Sequence, residues 1–205
     1  MLRDAELFVM AEVVLVEVLG RIRDKDREIV IPPLFDVPGA DEAAPLWQLV
    51  ERYAYDDAWV PDMLAGRTTT EAGPDSFDGD LLGANPQDSI RRIADAACAA
   101  ARQVGDGDGD NVVHFSYGDV SVRDYLRRIT IDRSLLAHYV ATYLGSTACP
   151  LTEELARPLW ELTAPDAATW RSLGFYRDPL PLPEHVSWRD RFLLSAGHEP
   201  HPLGH

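Results

Sequence analysis

Six histidines, two cysteines and 34 acidic side chains carry whatever metal, nucleophile or proton chemistry this 205-residue chain can do. The histidines are His114, His138, His185, His198, His201 and His205, and three of them crowd the last eight residues. A chain end holds copper or nickel loosely, because a metal site needs rigid donors. His114 stands beside a short apolar run and His138 inside a helical pattern, settings in which an imidazole is more often a core or surface residue than a ligand. The run Gly105–Asn111 invites comparison with a calcium loop. Opened at Asp106, however, such a loop would put Asn111 at the required glycine and Tyr117 at the bidentate glutamate, so the run reads as a solvated turn. Phosphate loop, dinucleotide fingerprint, nucleophile elbow and paired-cysteine zinc site are all absent from the sequence. Cys98 lies in an alanine-rich stretch and reads as a small buried thiol. Cys149 precedes Pro150, and the sequence does not decide whether the two thiols meet.

The formal net charge is −15, with 19 Lys and Arg against 34 Asp and Glu. Such a field repels phosphate backbones and anionic lipid, which makes nucleic acid and bare membrane poor partners and a cytoplasmic setting the expectation. Residues 7–19 are apolar-rich, but Glu12 and Glu17 interrupt them, which suits neither a signal peptide core nor a membrane span.

The elements that must position any site follow from periodicity. Leu7, Phe8, Ala11, Val14, Leu15, Val18, Leu19 and Ile22 recur at helical spacing and predict a helix from Asp4 to Asp24, with Glu6, Glu12, Glu17, Arg21 and Asp24 mostly elsewhere around the axis. A Pro- and Gly-containing loop follows, through Pro32, Pro33, Pro38 and Gly39. The second helix is expected from Asp41 or Pro45 to a cap at Gly66, with the stripe Leu46, Leu49, Val50, Tyr53, Val60 and Leu64, and with Pro61 kinking or dividing it. Residues 67–85 read as loop. A third helix runs from Pro86 to Val104. Val112–Tyr117 reads as extended. Ser121, with Asp124 three residues on, forms a capping-box pattern and opens a fourth helix through Leu126, Ile129, Leu135, Leu136, Val140 and Leu144 to Gly145. Thr152 opens a fifth, and a short last helix covers Arg189–Ser195. The chain reads as one all-α domain, with a bundle over residues 4–145, long connecting loops and a helical extension over 150–200.

Three stretches carry a resemblance. Met63–Thr68 followed by Phe77–Pro86, then Tyr117–Val120 with Tyr125, Leu126, Asp132 and Gly145, and the ending Asp190–Pro200 together resemble the DinB-like superfamily. Within it they are similar to the actinobacterial branch that contains the mycothiol-dependent maleylpyruvate isomerases. The similarity runs from about residue 40 to 200. It implies a four-helix bundle that binds a divalent metal, commonly zinc, through a histidine on the second helix and a carboxylate plus a histidine on the fourth. That metal would turn a low-molecular-weight thiol such as mycothiol into a nucleophilic thiolate.

Transferred onto this chain, the pattern places Arg52 where the second-helix histidine stands. Asp132 matches the carboxylate, and Leu136, four residues on, occupies the second histidine position. A shift of register would bring in His138 or Glu51 as ligands, but His138 lies six residues from Asp132, about 240° further around a helix. A catalytic zinc normally has three protein ligands, so the resemblance predicts a degenerate site, with neither metal nor mycothiol as cofactor. Arg52 is then expected to supply a fixed cation with Asp132 as partner, a fork suited to carboxylate ligands. Its bland counterpart is a solvent-facing Arg52 with the cleft closed by Leu136.

Three functions follow. The first is a descendant that binds a small ligand or a partner without metal–thiol chemistry. The second is an isomerase or S-transferase with displaced ligands, using zinc and mycothiol. The third is a helical dimerisation module, a homodimer whose face would use aromatics among Trp47, Tyr55, Trp59, Trp160, Trp170 and Trp188.

Overall fold

Alternating helical stripes and capping residues dictate the architecture, which a computed structural model describes for residues 1–35, 42–115 and 118–201 (the side chain of Phe115 excepted). The expected helix start at Asp41 and the extended residue Tyr117 lie outside the described residues, as does His205. Among the described residues the chain is mostly helical, with α1 (Arg3–Leu19), α2 (Leu46–Leu64), α3 (Thr69–Ala72), α4 (Pro86–Gln103), α5 (Val122–Tyr143), α6 (Glu153–Thr163), α7 (Ala167–Ser172) and α8 (Trp188–Ser195). Strand is confined to two short antiparallel pairs, β1 (Val30–Ile31) with β2 (Ala44–Pro45), and β3 (Val112–Phe115) with β4 (Gly118–Ser121).

Contacts gather the chain into two compact units. The first comprises Met1–Gly20 and Trp47–Arg133, and the second Arg21–Leu46 with the described residues from Ser134 onward. In the first, α1 packs along α4. Phe8, Val60, Ala97, Ala101, Val113 and Leu126 form part of its core and are fully or almost fully buried. The Leu2 amide donates to the Val104 carbonyl at 2.9 Å, tying the start of α1 to the end of α4. The β3–β4 hairpin pairs Val113 with Val120 and delivers the chain to α5. There Ser121 Oγ accepts from the Asp124 amide and donates to its carboxylate, as its capping pattern predicts.

The second unit is built on α6 packed against α8. Thr152 Oγ1 caps α6 by accepting from the Leu155 amide, and Ser187 Oγ caps α8 by accepting from that of Asp190. Glu153 bridges the two helices, receiving the Trp188 amide and the Arg189 guanidinium, each at 2.8 Å. Trp160 and Trp188 lie with ring centroids 5.4 Å apart, and Phe192, Leu155 and Leu159 fill the interior behind them.

Several boundaries differ from the sequence expectation. The first helix ends at Leu19 instead of Asp24, where Gly20, a poor helix residue, donates its amide to Val16 and closes the last turn. Pro61 does not divide α2, which continues to Leu64; the missing amide removes one backbone bond, and flanking turns hold the helix. The loop 67–85 contains α3, opened by Thr68 and Glu71 in a reciprocal capping box. The strand β4, the β1–β2 pair and α7 were not foreseen, being too short to show periodicity.

Ser187→Ala is expected to lower stability by about 1 kcal/mol through loss of the α8 cap, read as a lower urea midpoint at unchanged slope. Ser187→Asp should leave the midpoint close to that of the parent chain.

Candidate functional site

Besides Asp4, buried at the start of α1 and paired with Arg123 and Arg127, each of three helices in the first unit carries a charged residue well inside its apolar stripe. On α1 it is Glu12, one turn beyond Phe8; on α2 it is Asp57, one turn beyond Tyr53; on α5 it is Arg133, one turn beyond Ile129. A helix repeats about every 3.6 residues, so these positions face inward with their apolar neighbours. Glu12 is 1% exposed, Asp57 0% and Arg133 3%. Buried charge is tolerated only when paired and hydrogen-bonded, and here the groups answer one another.

Arg133 is the centre. Its Nε and Nη2 donate to Asp57 Oδ1 at 3.1 and 2.9 Å, and Nη1 donates to Asp132 Oδ2. Glu12 Oε1 lies 3.2 Å from Nε, and the guanidinium carbon sits 5.1 Å from the centre of the Tyr53 ring. Tyr53 Oη donates to Glu12 Oε2 at 2.7 Å. Burial opposes the charge on Arg133, but Asp57, Asp132, Glu12 and Asp56 outweigh it and hold the guanidinium firmly protonated.

The acids respond in the opposite sense. Burial, reinforced by Asp57, pushes Glu12 well above the usual carboxylate range, against the pull of Arg133 and the Tyr53 hydroxyl. A hydrogen bond to Asp57 raises it further. Glu12 Oε1 and Asp57 Oδ2 are otherwise buried without partners. Burial likewise raises the Tyr53 phenol, with the Glu12 and Asp57 charges adding to it, so it stays a neutral donor.

Two more carboxyls reach solvent at the edge of the cluster. Asp132 keeps 28% of its side-chain surface exposed, and Asp56 is exposed. Even so, desolvation is the largest influence on each, raising Asp132 against the attraction of Arg133 and lifting Asp56 to about 6.

The residues named from the sequence fall in different places. Asp132 lies in the cluster, where the guanidinium bonded to it is that of the next residue, Arg133. Arg52 and Glu51 are exposed on α2, and the Arg52 charge acts on Asp56 one turn away. Leu136 and His138, in the part of α5 that belongs to the second unit, are each 4% exposed. His138 Nε2 donates to the Glu199 carbonyl at 2.9 Å. Among the described residues, no three His, Cys, Asp or Glu come together as a metal-holding group. Cys98 and Cys149 are both free thiols, raised by burial to about 12 and about 11. At those values neither is a thiolate near neutral pH. Glu12, Tyr53, Asp56, Asp57 and Arg133 were missed, although a charge recurring in an apolar stripe is a legible signal. Glu12 in particular was expected away from the buried face and instead lies at its centre.

Of the aromatics proposed for a dimer face, Trp59 is buried against Phe77 at 4.8 Å, Tyr55 is 38% exposed, and Trp47, Trp160, Trp170 and Trp188 are partly covered. No helix among the described residues is long and apolar enough to cross a membrane. Comparison of the chain with protein-family models, curated proteins and solved structures finds no match.

Arg133→Met should destabilise the protein by roughly 3–5 kcal/mol, because Glu12 and Asp57 lose their buried counter-charge. Adding Glu12→Gln and Asp57→Leu to that variant should recover much of the loss, measured by urea unfolding. A smaller loss for the single variant than for the triple one would show that the network does not hold the helices. A separate expectation concerns pH. Asp56 binds its proton more tightly when folded, so its contribution is complete below about pH 4 and is lost as pH rises through 6. Asp56→Asn should therefore flatten the decline in stability between pH 4 and 6 and exceed the parent chain in melting temperature at pH 8.

Proposed function

We propose that this chain is a DinB-like helical protein, related to the mycothiol-dependent maleylpyruvate isomerases, that binds a small ligand without metal–thiol chemistry. One observation carries the reading. Asp132, the residue that matches the carboxylate of the family's metal site, has its counter-charge from the Arg133 guanidinium. The position that would call for a divalent ion is thus served by a fixed organic cation, whose donors are also taken up by Asp57. The resemblance supplies the bundle and the place of the cleft, and the residues of this chain supply the change of chemistry.

The expected preference of the site changes with the arginine that serves it. Arg52 as a solvent-side fork suits carboxylates, but the central guanidinium is Arg133, and it already spends its donors on acids. The acids of the cluster that solvent reaches are Asp56 and Asp132. The favoured ligand is accordingly a small basic molecule, an amine or an amidine, drawn in by a chain of net charge −15.

Elemental analysis and zinc titration of untagged protein purified without chelator test the first part, with no tightly held ion expected. One zinc or nickel ion per chain, retained at micromolar competition and accompanied by thiol-dependent isomerisation, would overturn it. Thermal-shift titration tests the second part: small amines should raise the melting temperature, carboxylates should not, and Asp56→Asn with Asp132→Asn should abolish the amine effect.

A further inference from the structure

The second unit holds two histidines that are almost wholly buried, His138 on α5 at 4% exposure and His198 just beyond α8 at 6%. The Glu199 carbonyl can only accept, so His138 Nε2 carries the hydrogen of that bond and Nδ1 is left with a lone pair. Nδ1 is buried with no partner, and so is His198 Nε2. Burial keeps both rings neutral. It depresses His138, with His201 adding to the effect and the Glu199 bond opposing it, and it depresses His198 to about 4, with Arg177 and His138 reinforcing it. The charged groups acting on the pair are Arg177, His201 and the rings themselves, and His201 is in turn 3.4 Å from the Asp190 carboxylate.

The segment that carries His198 is held at several points. Glu199 is held by His138, the His198 amide donates to Leu193 at 2.9 Å and the Gly197 amide to Leu194 at 3.2 Å, and His201 lies 3.4 Å from both the Thr147 carbonyl and Asp190 Oδ2; the Arg177 amide donates to Ala196 at 3.1 Å. The turn at Gly197 has φ +81°, and a Cβ there would meet Arg177 Cβ at 2.5 Å and the Asp178 carbonyl at 2.7 Å. Chain and rings are closely packed, and the carboxylate that approaches this segment, Asp190, lies 3.4 Å from His201 Nε2.

We propose that His138 and His198 form an acid-opened latch that holds the C-terminal segment Gly197–His201 against α5. Protonation puts a positive charge on each ring beside the other and beside Arg177, and it converts an unpartnered acceptor into an unpartnered donor. The Nε2–H bond to Glu199 survives in the imidazolium, so repulsion and desolvation open the latch, not the loss of that bond. Neutral rings favour the closed form, whose stability is complete above about pH 6.5 and is lost as pH falls through 4.

Amide hydrogen exchange on the whole chain, corrected for the intrinsic pH dependence, tests this at the His198 and Arg177 amides, with the α4 amides as an internal reference. Protection at the two sites should drop between pH 6.5 and 4, on the order of 100-fold at pH 4 relative to α4. In His138→Gln/His198→Gln the drop should vanish. Unchanged protection in the parent chain, or the same drop in the double variant, would overturn the latch. Should the double variant fail to fold, ring titration of the parent chain by NMR decides. A His198 midpoint below 5, coincident with loss of the Glu199 contact, upholds the proposal, and a midpoint near 6.5 with the segment still closed refutes it.

Discussion

The guanidinium of Arg133 is the constraint on which the first unit depends. It is buried among helices, and the groups that justify its burial come from two other helices as well as its own. Its planar fork satisfies Asp57 through two donors and Asp132 through a third. Hydrophobic burial along α1, α2, α4 and α5 brings the helices together without specifying register, because apolar contacts are non-directional. A charge that must meet two particular carboxyls does specify it: sliding any of the three helices by one turn would leave an unpaired ion in the interior, at a cost of several kcal/mol.

The acids around that centre divide by depth. Glu12 and Asp57 are sealed from water, and burial beside Asp57 holds Glu12 well above the usual carboxylate range, which favours its neutral form and limits the negative charge the interior must hold. Asp56 and Asp132 sit where water still reaches, and their proton affinities are raised by the protein around them. The same low-dielectric surroundings thus serve two ends. At depth they make the network a device for specific packing, and at the edge they leave carboxyls that hold their protons to higher pH than free ones do.

The second unit solves its packing differently. The α6–α8 pair is clasped by Glu153, by the Trp160–Trp188 contact and by Arg157 and Arg191 lying about 5 Å over those rings. These are partly exposed interactions, each modest, and the buried polar residues of that unit include Asp26, Ser134, His138, Thr163 and His198.

The sequence by itself determined the helical class, the stripes of α1, α2 and α5 and the caps at Ser121 and Thr152, because periodicity and capping are local properties of consecutive residues. The resemblance named Asp132 as a candidate. Tertiary structure decided which cation serves that aspartate. Arg52 and Arg133 are equivalent in type, and only the packing of α1 and α2 against the first half of α5 turns one of them into the interior. It decided, too, what Glu12 pairs with: its position in the apolar stripe is legible, but the arginine beside it stands 121 positions away. Short strands and turns such as β4 and α7 were illegible for a related reason, since their bonds are made with distant chain and their own residues carry too few repeats to show a period.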